Sequence, residues 1–280
     1  MERKIGNSID NLYCLAYSRG MIRRELEAAL RGKAGTYPVV AVTGPRQSGK
    51  TTLVRTTFPD YAYESLEDPD KRRFAAEDPR RFLDSLPGPA ILDEIQRVPE
   101  LTSYIQGVVD KEGKPGRFVI TGSSNLLLLD QVSQSLAGRV SLLTLLPLSF
   151  AELVAAGHAF KTLEDTLFAG FYPRIHDLAL PPGPWYRDYV STYLERDVRK
   201  VLNVSDLGRF HLFLKMCAAR SGQLLNLSAL GNDCGISHNT ARSWLSVLEA
   251  SYVVHQLRPH FANFNKRLVK ATKLYFLDPG

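Results

Sequence analysis

The sequence predicts an α/β protein: a three-layer core on a parallel sheet, followed by a mostly helical unit with a winged helix-turn-helix. Three observations predict it. The segment VVAVTGPRQSGKTTLVRTTF carries an apolar strand candidate, Val39 to Val42, into a glycine-bounded loop and then a helix. The run PAILDE ends a second apolar strand in two carboxylates. Beyond Pro181-Pro182-Gly183-Pro184, a stiff break, the apolar residues recur at helical spacing.

The loop Gly44-Pro45-Arg46-Gln47-Ser48-Gly49-Lys50-Thr51 fits G-x-x-x-x-G-K-[ST], the phosphate-binding pattern. Gly44 and Gly49 allow backbone conformations that a Cβ would obstruct, so successive amides can turn inward around a polyphosphate. The helix that starts near Lys50 and Thr51, with Thr52 next, adds unpaired amides and a positive dipole end. Lys50 is the candidate ligand of the β- and γ-phosphates, and the Thr51 hydroxyl a candidate Mg²⁺ ligand. The expected ligands are therefore ATP and Mg²⁺.

Composition sets the outer limits. A chain of 280 residues, 44% hydrophobic, can bury a sizeable core and more naturally holds two domains than one. The longest apolar stretch, Leu142 to Phe150, is broken by Thr144, Pro147 and Ser149, so no membrane span is predicted. Met1 to Gly20 lacks the apolar centre of a secretory signal, which makes cytoplasm the expected location and this segment an expected flexible leader. Cys14, Cys217 and Cys234 are too far apart for a disulfide framework or a zinc site. The net charge of +6 resides in the last hundred residues, with 13 Lys and Arg against 7 Asp and Glu, a balance that suits a polyanion partner.

Taken in order, Met21 to Leu30 places Ile22, Leu26, Ala29 and Leu30 at helical spacing. Tyr61 to Leu66 is a strand candidate, and Asp68 to Leu86 a charged helical region punctuated by Pro69 and Pro79. Pro89 to Glu94 is a buried strand whose tip offers Asp93 as a second Mg²⁺ ligand and Glu94 as the base for an attacking water. Pro99 to Val109 reads as a helix, and Arg117 to Asn125 as a strand with a polar tip. Thr121, Ser123 or Asn125 from that tip is a candidate γ-phosphate sensor or water-positioning group. Leu126 to Leu136 is an expected helix before a strand from Val140 to Leu145. Arg139, between them, is either a helix-end cation or an arginine finger acting in cis or in trans.

These residues resemble a known family: the prokaryotic AAA-type ATPases, P-loop enzymes of the ASCE group, that carry a winged-helix region and a C-terminal domain of unknown function. The resemblance rests on TGPRQSGKTTL, AILDEIQRVPEL, RFVITGSSN, SLAGRV with LLPLSFAEL, and YLERDV, and it covers nearly the whole chain from Met21. A Gly-Gly-Tyr/Phe-Pro phrase usual in the family is Ala169-Gly170-Phe171-Tyr172-Pro173 here, and the chain stops at Asp278-Pro279-Gly280 where the family continues. A truncated C-terminal domain is the expectation, with the last strand, Lys273 to Leu277, leaving an apolar edge exposed.

The expected organisation is a leader over 1–20, a P-loop ATPase core over 21–157, a helical linker or lid over 158–204, and the winged helix-turn-helix over 205–280. In the linker, Trp185 to Val201 reads as an amphipathic helix, and within the last unit Asp206 to Arg220 turns Leu207, Phe210, Leu214 and Cys217 to one face. Ser228 and Ser237 are the expected N-caps of the next two helices. In the second of these, Ala241, Trp244, Leu245 and Leu248 point inward, leaving His238, Asn239, Thr240, Arg242 and Ser243 outward. A wing with Asn263, Asn265, Lys266, Arg267, Lys270 and Lys273 follows. The reading is Mg²⁺-dependent ATP hydrolysis coupled to movement of this unit; the alternative is an ATP-switched DNA-binding module with little turnover. Duplex DNA and a second copy of the chain are the candidate partners.

Overall fold

The chain's structure is a computed structural model, which describes residues 21–122, 135–158, 160, 162–194, 207–260 and 271–280. The expected leader, Cys14, Ser123, Asn125, most of the Leu126–Leu136 helix, and the wing residues from Asn263 to Lys270 lie outside these. Among the described residues no helix is long and apolar enough to cross a membrane.

Five short segments form one parallel sheet in the order β2-β3-β4-β1-β5: β1 Val39–Thr43, β2 Ala62–Ser65, β3 Ala90–Asp93, β4 Phe118–Thr121 and β5 Val140–Thr144. Alternation along the strands divides the core. Val39, Ala41, Leu92, Phe118 and Ile120 pack to one side with Phe82, Leu101 and Ile105. Val40, Val42, Ile91 and Val119 pack to the other with Leu30, Leu53 and Val54. Helices α1 (Leu26–Ala34) and α2 (Lys50–Thr57) thus cover one face, and α3 (Pro69–Glu77), α4 (Pro79–Asp84) and α5 (Leu101–Glu112) the other. The region expected from Asp68 to Leu86 is two helices because Asp78 ends one and caps the next, its carboxylate accepting from the Arg81 amide at 3.0 Å ahead of Pro79.

The β3 strand does not adjoin β1. With β4 between them, Asp93 reaches the phosphate loop across the tip of β4, which brings Thr121 into the same group of side chains.

After β5 come α6 (Phe150–Ala155), α7 (Leu163–Ala169), α8 (Pro173–Asp177) and α9 (Pro182–Tyr189), the last continuing as a wider π turn over Val190–Leu194. The proline-rich break is therefore the first turn of a helix, where the missing N–H of Pro182 has no partner to lose. Helices α10 (Leu207–Ala219), α11 (Leu227–Asp233) and α12 (His238–Ala250) enclose a second core of Phe210, Phe213, Cys217, Leu230, Trp244 and Leu248. Ser237 caps α12 as expected, accepting from the Thr240 amide at 3.1 Å. The cap of α11 is Asn226 rather than Ser228, which lies two residues later and already inside the helix; Asn226 accepts from Ala229 at 3.0 Å.

An antiparallel pair, β6 (Val254–Leu257) and β7 (Lys273–Phe276), closes this core. The apolar edge expected there is covered. Leu274 is buried, and the far side of the strand bonds to the Gln223–Leu225 turn through Leu274 N to Gln223 O and Leu225 N to Thr272 O.

Gly44 is the one position in the phosphate loop where backbone meets backbone. Its φ is +144°, and a Cβ there would lie 2.1 Å from the Leu145 carbonyl oxygen. At Gly49, with φ +91°, the nearest atom would be the end of the Arg24 side chain at 3.6 Å. In urea denaturation Gly44→Ala should lose about 3 kcal/mol and Gly49→Ala closer to about 1 kcal/mol; equal losses would show that the contact with Leu145 is not what demands glycine.

Candidate active site

The loop between β1 and α2 brings Gly44, Pro45, Arg46, Gln47, Ser48, Gly49, Lys50, Thr51 and Thr52 together as the sequence pattern requires. Gln47 is left-handed (φ +62°) and Gly49 is the left-handed N-cap of α2, so the backbone coils rather than extends. Lys50 is buried to 6% exposure, and its Nζ donates to the Gly44 and Pro45 carbonyls at 3.1 and 2.7 Å. Burial lowers its pKa to about 8, against the opposing pull of Glu94 and then Asp93; Arg46 adds to the lowering. The Ser48 hydroxyl is fully buried inside the loop and has no hydrogen-bond partner among the described residues. An orphaned donor beside an ammonium, on a coil of amides, fits a phosphate chain.

Asp93 organises the second half of the site. Its carboxylate accepts from the Thr51 hydroxyl at 3.0 and 3.2 Å, from the Tyr63 hydroxyl at 2.8 Å and from the Thr121 hydroxyl. Thr121 in turn accepts from the Glu94 amide at 3.2 Å. Thr121, one of the three residues offered as phosphate sensors, is thus bonded to the carboxylate. Thr51 and Asp93 are hard oxygen donors in direct contact, a set that suits Mg²⁺.

Glu94 follows in a left-handed conformation (φ +59°), uncommon for a residue with a Cβ. The turn swings its side chain out of line with Asp93, and Gln96 Nε2 donates to Glu94 Oε2. The two adjacent carboxylates therefore have separate partners, one on Thr51 and one near Lys50.

Arg139 lies elsewhere. It precedes β5 at the level of Val39, whose amide bonds to its carbonyl, and its guanidinium is paired with Asp110 through Nε to Oδ1 and Nη2 to Oδ2 at 2.8 Å. The loop is at the opposite end of the strands, about 16 Å away at 3.3 Å per residue. In this structure Arg139 does not reach the loop of its own subunit. Ser123 is outside the described residues.

Three residues outside the sequence motifs also meet the site or the strand that leads into it. Arg24, before α1, donates from Nη1 to the Ser48 carbonyl at 2.7 Å and from Nε to Glu152 at 3.1 Å. Tyr63 is the hydroxyl on Asp93 already described. Tyr252, left-handed (φ +58°) just after α12, meets the Thr43 hydroxyl at 2.8 Å and so ties the helical unit to the end of β1. Only Tyr63 had a sequence signal, as an alternate residue on a strand ending beside the acidic tip. Next to the loop is a cleft of about 170 Å³ lined by Ile22, Arg24, Gly49, Thr52, Leu148 and Asp177 among others.

Residues 36–154 match the model of an AAA domain, and residues 160–280 match that of a domain of unknown function (DUF8612). Two mycobacterial proteins, each described as uncharacterized, are similar: Rv2008c of Mycobacterium tuberculosis and Mb2031c of Mycobacterium bovis. Each is 34% identical over 261 residues, 92% of this chain, which spans 58% of their length. Among solved structures, the Walker-type ATPase paby2304 of Pyrococcus abyssi superposes with a TM-score of 0.57 over 92% of this chain and 94% of that one, at 14% identity. That likeness is one of fold: a three-layer P-loop NTPase core followed by a helical region.

The lowered pKa of Lys50 carries a pH signature. Below about 8 the ammonium is present; above it, binding an anion requires uptake of a proton. The affinity for ATP should therefore fall as pH rises past that value, approaching tenfold per unit. Titration calorimetry from about pH 7 to 9.5 checks this, with Lys50→Ala expected to bind weakly and without the slope.

Proposed function

From a core of AAA type, we propose that the chain binds Mg²⁺-ATP and hydrolyses it, and that the nucleotide state moves the C-terminal helical unit. The observation that carries this reading is the contact between Thr51 and Asp93, which joins the phosphate loop to the acidic strand tip at 3.0 Å. Backbone amides of residues 46–51 and the Lys50 ammonium hold the phosphates, while the cleft beside Gly49 and Thr52 takes the nucleoside. Mg²⁺, held by Thr51 and Asp93, supplies charge neutralisation on the phosphate oxygens. Glu94 orients the attacking water and accepts its proton, a task for which its left-handed turn leaves it free of Asp93. The bond from Tyr252 to Thr43, one residue before Gly44, supports coupling to the helical unit, because any shift of the strand tip moves its partner. Arg139 would act catalytically only on a neighbouring subunit, after leaving Asp110.

Glu94→Gln should bind ATP with near-parent affinity while phosphate release falls at least about a hundredfold. Lys50→Ala should lose binding itself. Unchanged turnover in the first would remove Glu94 from the chemistry, and parent-like affinity in the second would remove the loop.

A second reading, an ATP-switched DNA-binding winged helix with little turnover, draws on α12. His238, Asn239, Arg242 and Ser243 are exposed on its first turns, residue types that contact bases and phosphates. On this reading Mg²⁺-ATP should change duplex DNA affinity several-fold in the Glu94→Gln protein, read by fluorescence anisotropy. DNA affinity independent of nucleotide would oppose it.

A further inference from the structure

The Arg24 guanidinium is only 9% exposed and its partner Glu152 only 6%, in a region where a charge on a surface helix would ordinarily face water. Each of its three nitrogens is engaged with a fixed group: Nη1 on Ser48 O at 2.7 Å, Nη2 on Leu146 O at 2.7 Å and Pro147 O at 3.2 Å, and Nε on Glu152 Oε1 at 3.1 Å. Glu152 is held just as firmly. It completes a capping box at the start of α6, accepting from the Ser149 amide at 2.8 Å, and it accepts from the Glu25 amide at 2.7 Å. The pair thus joins the segment before α1, the phosphate loop and the turn after β5.

A trans peptide holds its C=O and the following N–H on opposite sides. Fixing the Ser48 carbonyl on Arg24 therefore fixes the Gly49 N–H to point away from Arg24 and back into the loop. Gly49, with φ +91° and no Cβ, has little resistance of its own to the peptide turning over. We propose that Arg24, held by Glu152, is a positioning residue for the phosphate loop: it locks the Ser48–Gly49 peptide so that the Gly49 amide is presented to the nucleotide phosphates. This rests on the ATP reading. It assigns to a residue outside the loop pattern, 24 positions upstream of Ser48, the orientation of one of the loop's anion-binding donors.

The fork geometry is what matters, since a lysine in its place could satisfy one carbonyl but not four acceptors together. The test measures Mg²⁺-ATP affinity and saturated turnover in the full chain. Arg24→Lys should weaken affinity about tenfold, as expected for a lost charge-assisted hydrogen bond, with kcat within about twofold of the parent. Guanidinium chloride at about 10 mM should restore most of the affinity of Arg24→Ala, because the side chain borders the open cleft. Glu152→Gln, which keeps the capping oxygen and removes the charge, should weaken affinity by about threefold to tenfold and serves if Arg24→Ala does not fold. Parent-like affinity in Arg24→Lys and Glu152→Gln, or a loss in Arg24→Ala that guanidinium leaves untouched, would overturn the assignment. A parent chain that binds no nucleotide would overturn the ATP reading and this with it; a parent that binds, with variants unaffected, overturns only the positioning role.

Discussion

One buried carboxylate holds the two halves of this site in register. Asp93 is 5% exposed at the end of β3 and accepts from hydroxyls on three other elements: Thr51 on α2, Tyr63 on β2 and Thr121 on β4. A carboxylate withdrawn from water is costly unless its lone pairs are met, so the three hydroxyls are what allow it to stay there. The sheet order supplies them. Because β4 lies between β1 and β3, the acidic tip is one strand removed from the loop, and Thr121 occupies the intervening position. The charge of Asp93 is thereby directed at Thr51, while Glu94, in a left-handed backbone, accepts from Gln96.

Around this centre the loop is held from both sides by elements distant in sequence. Arg24 grips it from the segment before α1, 24 residues upstream, and Gly44 lies against Leu145, 101 residues downstream by count along the chain. Tyr252 reaches the strand that feeds it from the helical unit. The loop's own sequence provides the capacity to bind an anion, through two glycines and an ammonium. Its shape depends on where other parts of the chain place their donors and carbonyls.

Much of this was legible in the residues. The three central strands could be read from short apolar runs, because a parallel strand buried on both faces needs an unbroken apolar run such as VVAV or AILD, whereas the edge strands β2 and β5 are half-buried and mixed in polarity. The phosphate loop was equally plain, since its glycines and lysine are dictated by ligand chemistry at a fixed spacing. The alternatives for Arg139 stayed open because its position in sequence, just before a strand, does not say at which end of the sheet it falls; parallel pairing with Val39 puts it at the far end. Ser228 misled because both it and Asn226 can cap, and only backbone geometry chooses between them. Arg24, Glu152 and Tyr252 could not be found at all, because each acts through a partner more than a hundred residues away or through a main-chain carbonyl that carries no sequence mark.

The bonds of Asp278 have a consequence for how the molecule is made. Its carboxylate accepts from the Phe171 amide at 2.8 Å, 107 residues earlier, and from the Tyr186 hydroxyl at 2.6 Å. Gly170, next to that amide, has no room for a Cβ beside Tyr186. During synthesis the sheet is complete once β5 has emerged, and it can begin to pack at once. The segment from Phe171 gains these bonds only after Asp278 is made, which at roughly 5–20 residues per second is an interval of about 5–20 s. For that interval the Gly170–Phe171 turn lacks two of the partners that hold it in the finished fold.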